Sequence, residues 1–183
     1  MIYPIVVYGD PVLKKKATNF SEEEKEKVTK LIADMFETMY NAHGVGLAAP
    51  QIGLSKRLFV VDGEPLDEKE CKGFKKVFIN PVITEQKGKE WEFEEGCLSI
   101  PGLREYISRP ETLTIQYLDE NFVEHTEDFS GMKARIIQHE YDHIEGILFT
   151  DKLSGFKKRL VQGKLTKISK GNTDANYRIK VYK

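Results

Sequence analysis

The sequence predicts a fold that mixes helices with strands, and three observations carry that expectation. Phe20 to Tyr40 places Val28, Leu31, Ile32, Met35, Phe36 and Met39 at helical spacing. Short runs rich in β-formers recur between turn residues, at Arg57 to Asp62, Val77 to Glu85, Glu105 to Arg109, Leu113 to Leu118 and Phe122 to Phe129. A second helix is expected at Gly131 to Gly146, with two of its three sectors largely apolar.

Taken in order, Met1 to Lys16 reads as an extended arm ending in a turn at Gly9-Asp10-Pro11. Ser21 is the N-cap candidate of the first helix, and Glu22, Glu23 and Glu24 suit the positive end of its dipole. Its apolar stripe is read as core, without chemistry. Gly63 to Lys76 is highly charged, which predicts an exposed loop with Cys71 as a surface thiol. The second strand is interrupted by Asn80-Pro81, a sign of an edge or a bulge. Pro110 is expected to end the short third strand. Asp119-Glu120-Asn121 joins the next two as a hairpin. Gly131 opens the second helix and Gly146 closes it as a C-cap. Phe156, Leu160, Val161, Leu165 and Ile168 are spaced so that a third helix docks on the body. Tyr177 to Tyr182 alternates like a half-buried strand. With 183 residues and no repeat or linker, residues 1–183 are read as one domain with a basic tail from about residue 152.

Composition excludes several functions. There are 28 Lys plus Arg and 29 Asp plus Glu, a net charge of -1, so no global nucleic-acid or membrane signal exists. The N-terminus lacks the features of a secretory signal, and no apolar run approaches membrane-spanning length. Two cysteines in unlike surroundings make no disulfide framework, and a cytoplasmic location is the expectation.

Three stretches carry chemistry. Gln138-His139-Glu140-Tyr141-Asp142-His143 is a His-Glu-x-x-His pattern on a helix. Histidines at i and i+4 share one face with Cβ atoms about 5–6 Å apart, so both imidazoles can hold one ion. Glu140 lies beside the first of them, where a carboxylate can act as general base. Met132, Ile136, His139, Glu140 and His143 form one stripe, Ile137, Tyr141 and Ile144 a second, and Arg135, Gln138, Asp142 and Glu145 a polar third. Alone, the pattern also suits a core helix with two hydrogen-bonded histidines. Gly44 to Gly53 is built of small residues around one amide, Gln51, an oxyanion donor candidate; a plain tight loop fits it equally. Glu94 to Gly102 surrounds Cys97 with turn residues. Free cysteine is usually a small buried hydrophobe, but two histidines call for a third ligand, and a Cys-His-His set leaves a fourth position open for catalysis.

Gly44-Val45-Gly46-Leu47-Ala48-Ala49-Pro50-Gln51, Glu95-Gly96-Cys97-Leu98-Ser99 and Gln138 to His143 together resemble, in order, the three signature motifs of the peptide deformylases. The resemblance runs from about residue 5 to 153. It implies a compact α+β fold with antiparallel sheets packed around the metal helix. It implies hydrolytic removal of the N-formyl group from the initiator methionine of new bacterial or organellar polypeptides, releasing formate. It assigns the ligands as Cys97, His139 and His143, the base as Glu140 and the oxyanion donors as Gln51 and the Leu98 N–H. It places Val45, Gly46, Gly96 and Arg104 beside the substrate, with Phe93, Met132 and Ile136 as candidates for the methionine pocket. It also implies one divalent ion, iron(II) in the cell, with zinc, nickel or cobalt able to substitute. A zinc endopeptidase and a silent metal-binding module are the alternatives from the residues alone. From Lys152 to Lys170 there are seven basic residues and no acidic one. Either this is a solvated face or it contacts ribosomal RNA, which the resemblance favours.

Overall fold

The computed structural model describes all 183 residues. Its strands and helices are β1 (Ile5–Val6), α1 (Lys25–Asn41), β2 (Gly46–Ala48), β3 (Leu58–Asp62), β4 (Lys75–Cys97), β5 (Ile100–Leu118), β6 (Glu124–Ser130), α2 (Gly131–Ile144), α3 (Gly155–Ser169) and β7 (Ile179–Lys180). Strands β2-β3-β4-β5-β6 form one antiparallel sheet in chain order. The second sheet departs from expectation: β1 and β7, from opposite ends of the chain, pair in parallel.

Strand β3 shows how the layers meet. Leu58, Phe59, Val60 and Val61 are all fully buried. Side chains alternate across a strand, so Leu58 and Val60 face one side and Phe59 and Val61 the other. Leu58 and Val60 pack with Val28, Met35 and Met39 of α1. Phe59 and Val61 pack with Ile136, Ile137 and Ile144 of α2. The sheet therefore carries a helix on each face here. Burying one such side chain contributes about 1.5–3 kcal/mol. A third cluster joins Val6, Ile100, Ile107 and Phe149 to Val161, Leu165 and Ile168 of α3.

The Asn80-Pro81 interruption is a bulge. Pairing slips between Ile79 and Val82, Asn80 has φ of 50°, and its side chain is pinned to both backbone groups of Phe20. Pro110 does not end a strand. It lies within β5 opposite Glu90, beside the slip between Lys87 and Glu90, where a missing N–H donor breaks no regular ladder. Both β4 and β5 run much further than the sequence indicated.

Three further expectations change. Cys71 is fully buried: the Gly63 to Lys76 loop closes on itself through Gly63 N–H to Phe74 O, sending Cys71 and Phe74 inward and the charges outward. On α3, Val161, Leu165 and Ile168 dock, but Phe156 and Leu160 are 64% and 67% exposed. At 100° per residue those two lie on a different sector from the docked three. Of Tyr177 to Tyr182, only Ile179–Lys180 pairs as strand.

Candidate active site

Helix α2 contacts β2, β3, β5 and β6 and carries His139, Glu140 and His143. Its end is fixed by Gly146, whose φ is +75° and where a Cβ would lie 2.6 Å from the Lys14 carbonyl oxygen. Buried Arg57 holds the same end, donating to Glu145 at 2.9 Å and Pro81 O at 2.9 Å. The β4–β5 hairpin turns at Leu98-Ser99, since Cys97 pairs with Ile100. That turn brings Cys97 to the helix: Sγ lies 3.3 Å from His143 Nε2. Donor atoms of Cys97, His139 and His143 all lie within 4.8 Å of one another.

Two of the four residues in the α2 sector that looked polar are buried as well. Arg135 and Gln138 are each 2% exposed. Arg135 donates to Glu95 Oε2 at 2.8 Å and Arg109 to the same oxygen at 2.7 Å. Glu95 Oε1 takes Arg109 at 2.9 Å and His139 Nδ1 at 2.9 Å. Arg109 also reaches Asp142 at 2.8 Å. Burial alone would raise the Glu95 carboxyl, but His139 and Arg109 outweigh it and hold it well below the usual range. Sequence reasoning missed Glu95, Arg109 and Arg135 as site residues. Two signals were available: Glu95 stands two residues before Cys97 in the same short motif, and Arg135 lies a turn before His139 on a helix too apolar to leave it solvated.

Burial pushes His143 well down, so it stays neutral, the form that can ligate. Burial opposes protonation of His139 too, but Cys97 and Glu95 raise it well above the ordinary value, so an ion held there would displace a proton from that ring. Burial lifts Glu140 to about 7. Gln51 is buried and oriented: Ala48 N–H donates to its Oε1 at 2.9 Å, so its NH₂ faces Ser99 Oγ at 3.1 Å and Cys97 Sγ at 3.6 Å. Gly46 is required here, because a Cβ would lie 2.5 Å from Glu140 Oε1.

The family model for polypeptide deformylase matches residues 2–159. The chain belongs to that family. It is 61% identical over 180 residues to the peptide deformylase of Cytophaga hutchinsonii, covering 98% of this chain and 97% of that one. Against the Christiangramia forsetii peptide deformylase the identity is 56%, over 98% and 96% of the two chains. The crystal structure of a peptide deformylase from Legionella pneumophila superposes with a TM-score of 0.81 at 42% identity, covering 93% of this chain and 96% of that one. The Thermus thermophilus deformylase gives 0.82 at 41%, covering 93% and 99%. Deformylases are hydrolases that remove the N-formyl group from nascent polypeptides, and this chain is one of them.

The deformylase family is metal-dependent, and this donor set suits a metal: one thiol and two imidazoles converge on one point. Glu140 Oε2 is buried there without a hydrogen-bond partner, and so is His143 Nδ1, the ring nitrogen turned away from Cys97. The deformylase site opens into a cavity of about 1070 Å³. Val45, Gly46, Gln51, Phe93, Gly96 and Leu98 line it, as do Arg104, Ile136, Cys97, His139 and Glu140. Met132 does not; its side chain sits in the core beside Phe74 and Phe129. Arg104 is 55% exposed at the rim and paired with Glu94 at 3.0 Å. No helix is long and apolar enough to cross a membrane.

Proposed function

We propose that Cys97, His139 and His143 hold one divalent cation, and that Glu140 moves the protons of deformylation. The observation that carries this is the convergence of three donors within 4.8 Å beside a buried, unpartnered Glu140 oxygen. Such an ion, when bound, supplies Lewis acidity, which makes water a competent nucleophile near neutral pH. Glu140 accepts the proton of the attacking water at Oε2 and later delivers it to the leaving amine. Burial that raises a carboxyl toward working pH suits both tasks. Gln51 Nε2 and the Leu98 N–H steady the developing oxyanion; the long 3.6 Å contact from Gln51 to sulfur is the one a substrate oxygen would replace. Glu95 holds His139 by Nδ1 and so presents Nε2 to the ion. Val45, Gly46 and Gly96 flank the peptide, Arg104 lies at its rim, and Phe93 and Ile136 are the apolar wall for the formylmethionine side chain. Met132 supports that wall from behind.

Iron(II) is the proposed ion in the cell, with Zn²⁺, Ni²⁺ or Co²⁺ able to take its place, since imidazole and thiolate accept several first-row metals. The substrates are N-formylmethionyl chains in the bacterial cytoplasm, and the basic face of α3 docks on the ribosome. Protein purified without oxygen tests the core of this reading. It should carry close to one divalent ion per chain and release formate from a formylmethionyl dipeptide. Cleavage of internal peptide bonds, or activity in protein stripped of metal, would sink it.

A further inference from the structure

The C-terminal segment reaches the active site from beyond residues 2–159, the span the family model matches. Pairing of β7 with β1 fixes its position, Ile179 opposite Ile5, with the Ile5 N–H donating to Arg178 O at 2.8 Å. Just before this pairing, Tyr177 leans over the β4–β5 turn. Its hydroxyl donates to the Leu98 carbonyl at 2.7 Å. The next carbonyl, Ser99 O, accepts the Tyr8 N–H at 2.8 Å, from the chain just after β1. The two ends of the protein thus hold the two carbonyls of the turn that carries the Leu98 N–H.

A turn residue is where such support matters. Leu98 lies between the paired residues Cys97 and Ile100, so no strand partner satisfies its carbonyl. Pairing of Cys97 with Ile100 holds the chain before Leu98, and the Tyr177 hydroxyl holds the peptide plane after it. Held on both sides, the Leu98 torsions have little freedom.

We infer that Tyr177 is a positioning residue for deformylation: its hydroxyl fixes the Leu98 backbone so that the Leu98 N–H points at the formyl oxygen. This rests on the oxyanion role given to the Leu98 N–H above. Tyr177→Phe keeps the ring and removes only the hydroxyl. With a formylmethionyl dipeptide, kcat should fall about 10-fold, less than the 10²–10³ typical of losing a donor outright, with KM within about 2-fold. Metal content and thermal midpoint should match wild type. A wild-type kcat in Tyr177→Phe overturns the inference, as does a fall that tracks lost metal or a lowered midpoint. Gln51→Met, which removes the other donor, separates the layers. Undiminished turnover there overturns the oxyanion reading and this inference with it. Loss there beside a wild-type kcat in Tyr177→Phe overturns this inference alone.

Discussion

Glu95 survives burial at 5% exposure because Arg109, Arg135 and His139 all donate to it. Removing its charge would leave two buried guanidinium groups facing each other. We expect Glu95→Gln to cost about 3–5 kcal/mol in urea unfolding and to weaken metal binding about 10–100-fold. A variant with wild-type stability and affinity would show that the network does not hold His139. The two cysteines make a second contrast. Cys71 is sealed in the core, and burial pushes its thiol up to about 11. Cys97 sits at a turn beside both histidines. Metal analysis should therefore find Cys97→Ser stripped and Cys71→Ser loaded; the reverse would refute the ligand assignment. The sequence made Cys97, His139 and His143 readable because spacing and turn residues mark them locally. The contacts among Glu95, Arg109 and Arg135 were not readable, since they join positions 14 and 40 residues apart.

At the scale of elements, α1 and α2 were legible because each presents an apolar stripe at helical period. The lengths of β4 and β5 were not. Glu85 to Lys89 is exposed and shows no alternation, and backbone pairing to the neighbouring strand alone extends it. The turn glycines are where elements and site meet. Gly146→Ala would combine a φ of +75° with a contact 2.6 Å from Lys14 O. That should destabilise the metal-loaded protein by about 1–3 kcal/mol in urea, and an unchanged midpoint would contradict the view that Gly146 sets the end of α2. Gly46 acts on chemistry instead. Its Cβ would press on Glu140, so Gly46→Ala should lower kcat more than it lowers stability, which paired kinetics and unfolding would reveal.

For the whole molecule, the chain's near-neutral net charge of -1 hides a local asymmetry. The basic run on α3 includes Lys158 and Arg159, which have no acidic partner, while Lys157 reaches Glu105 at 3.6 Å. If this face docks on ribosomal RNA, binding must weaken steeply as salt rises. Ribosome co-sedimentation of wild type should exceed that of a variant with Lys157, Lys158 and Arg159 changed to Glu. Equal binding, or binding insensitive to salt, would rule the docking out. Glu140→Ala tests the proposed proton transfer most directly. Formate release from a formylmethionyl dipeptide should fall by about 10²–10⁴-fold while metal content stays at the wild-type level. A metal-loaded Glu140→Ala protein that releases formate at near-normal rate would contradict the account.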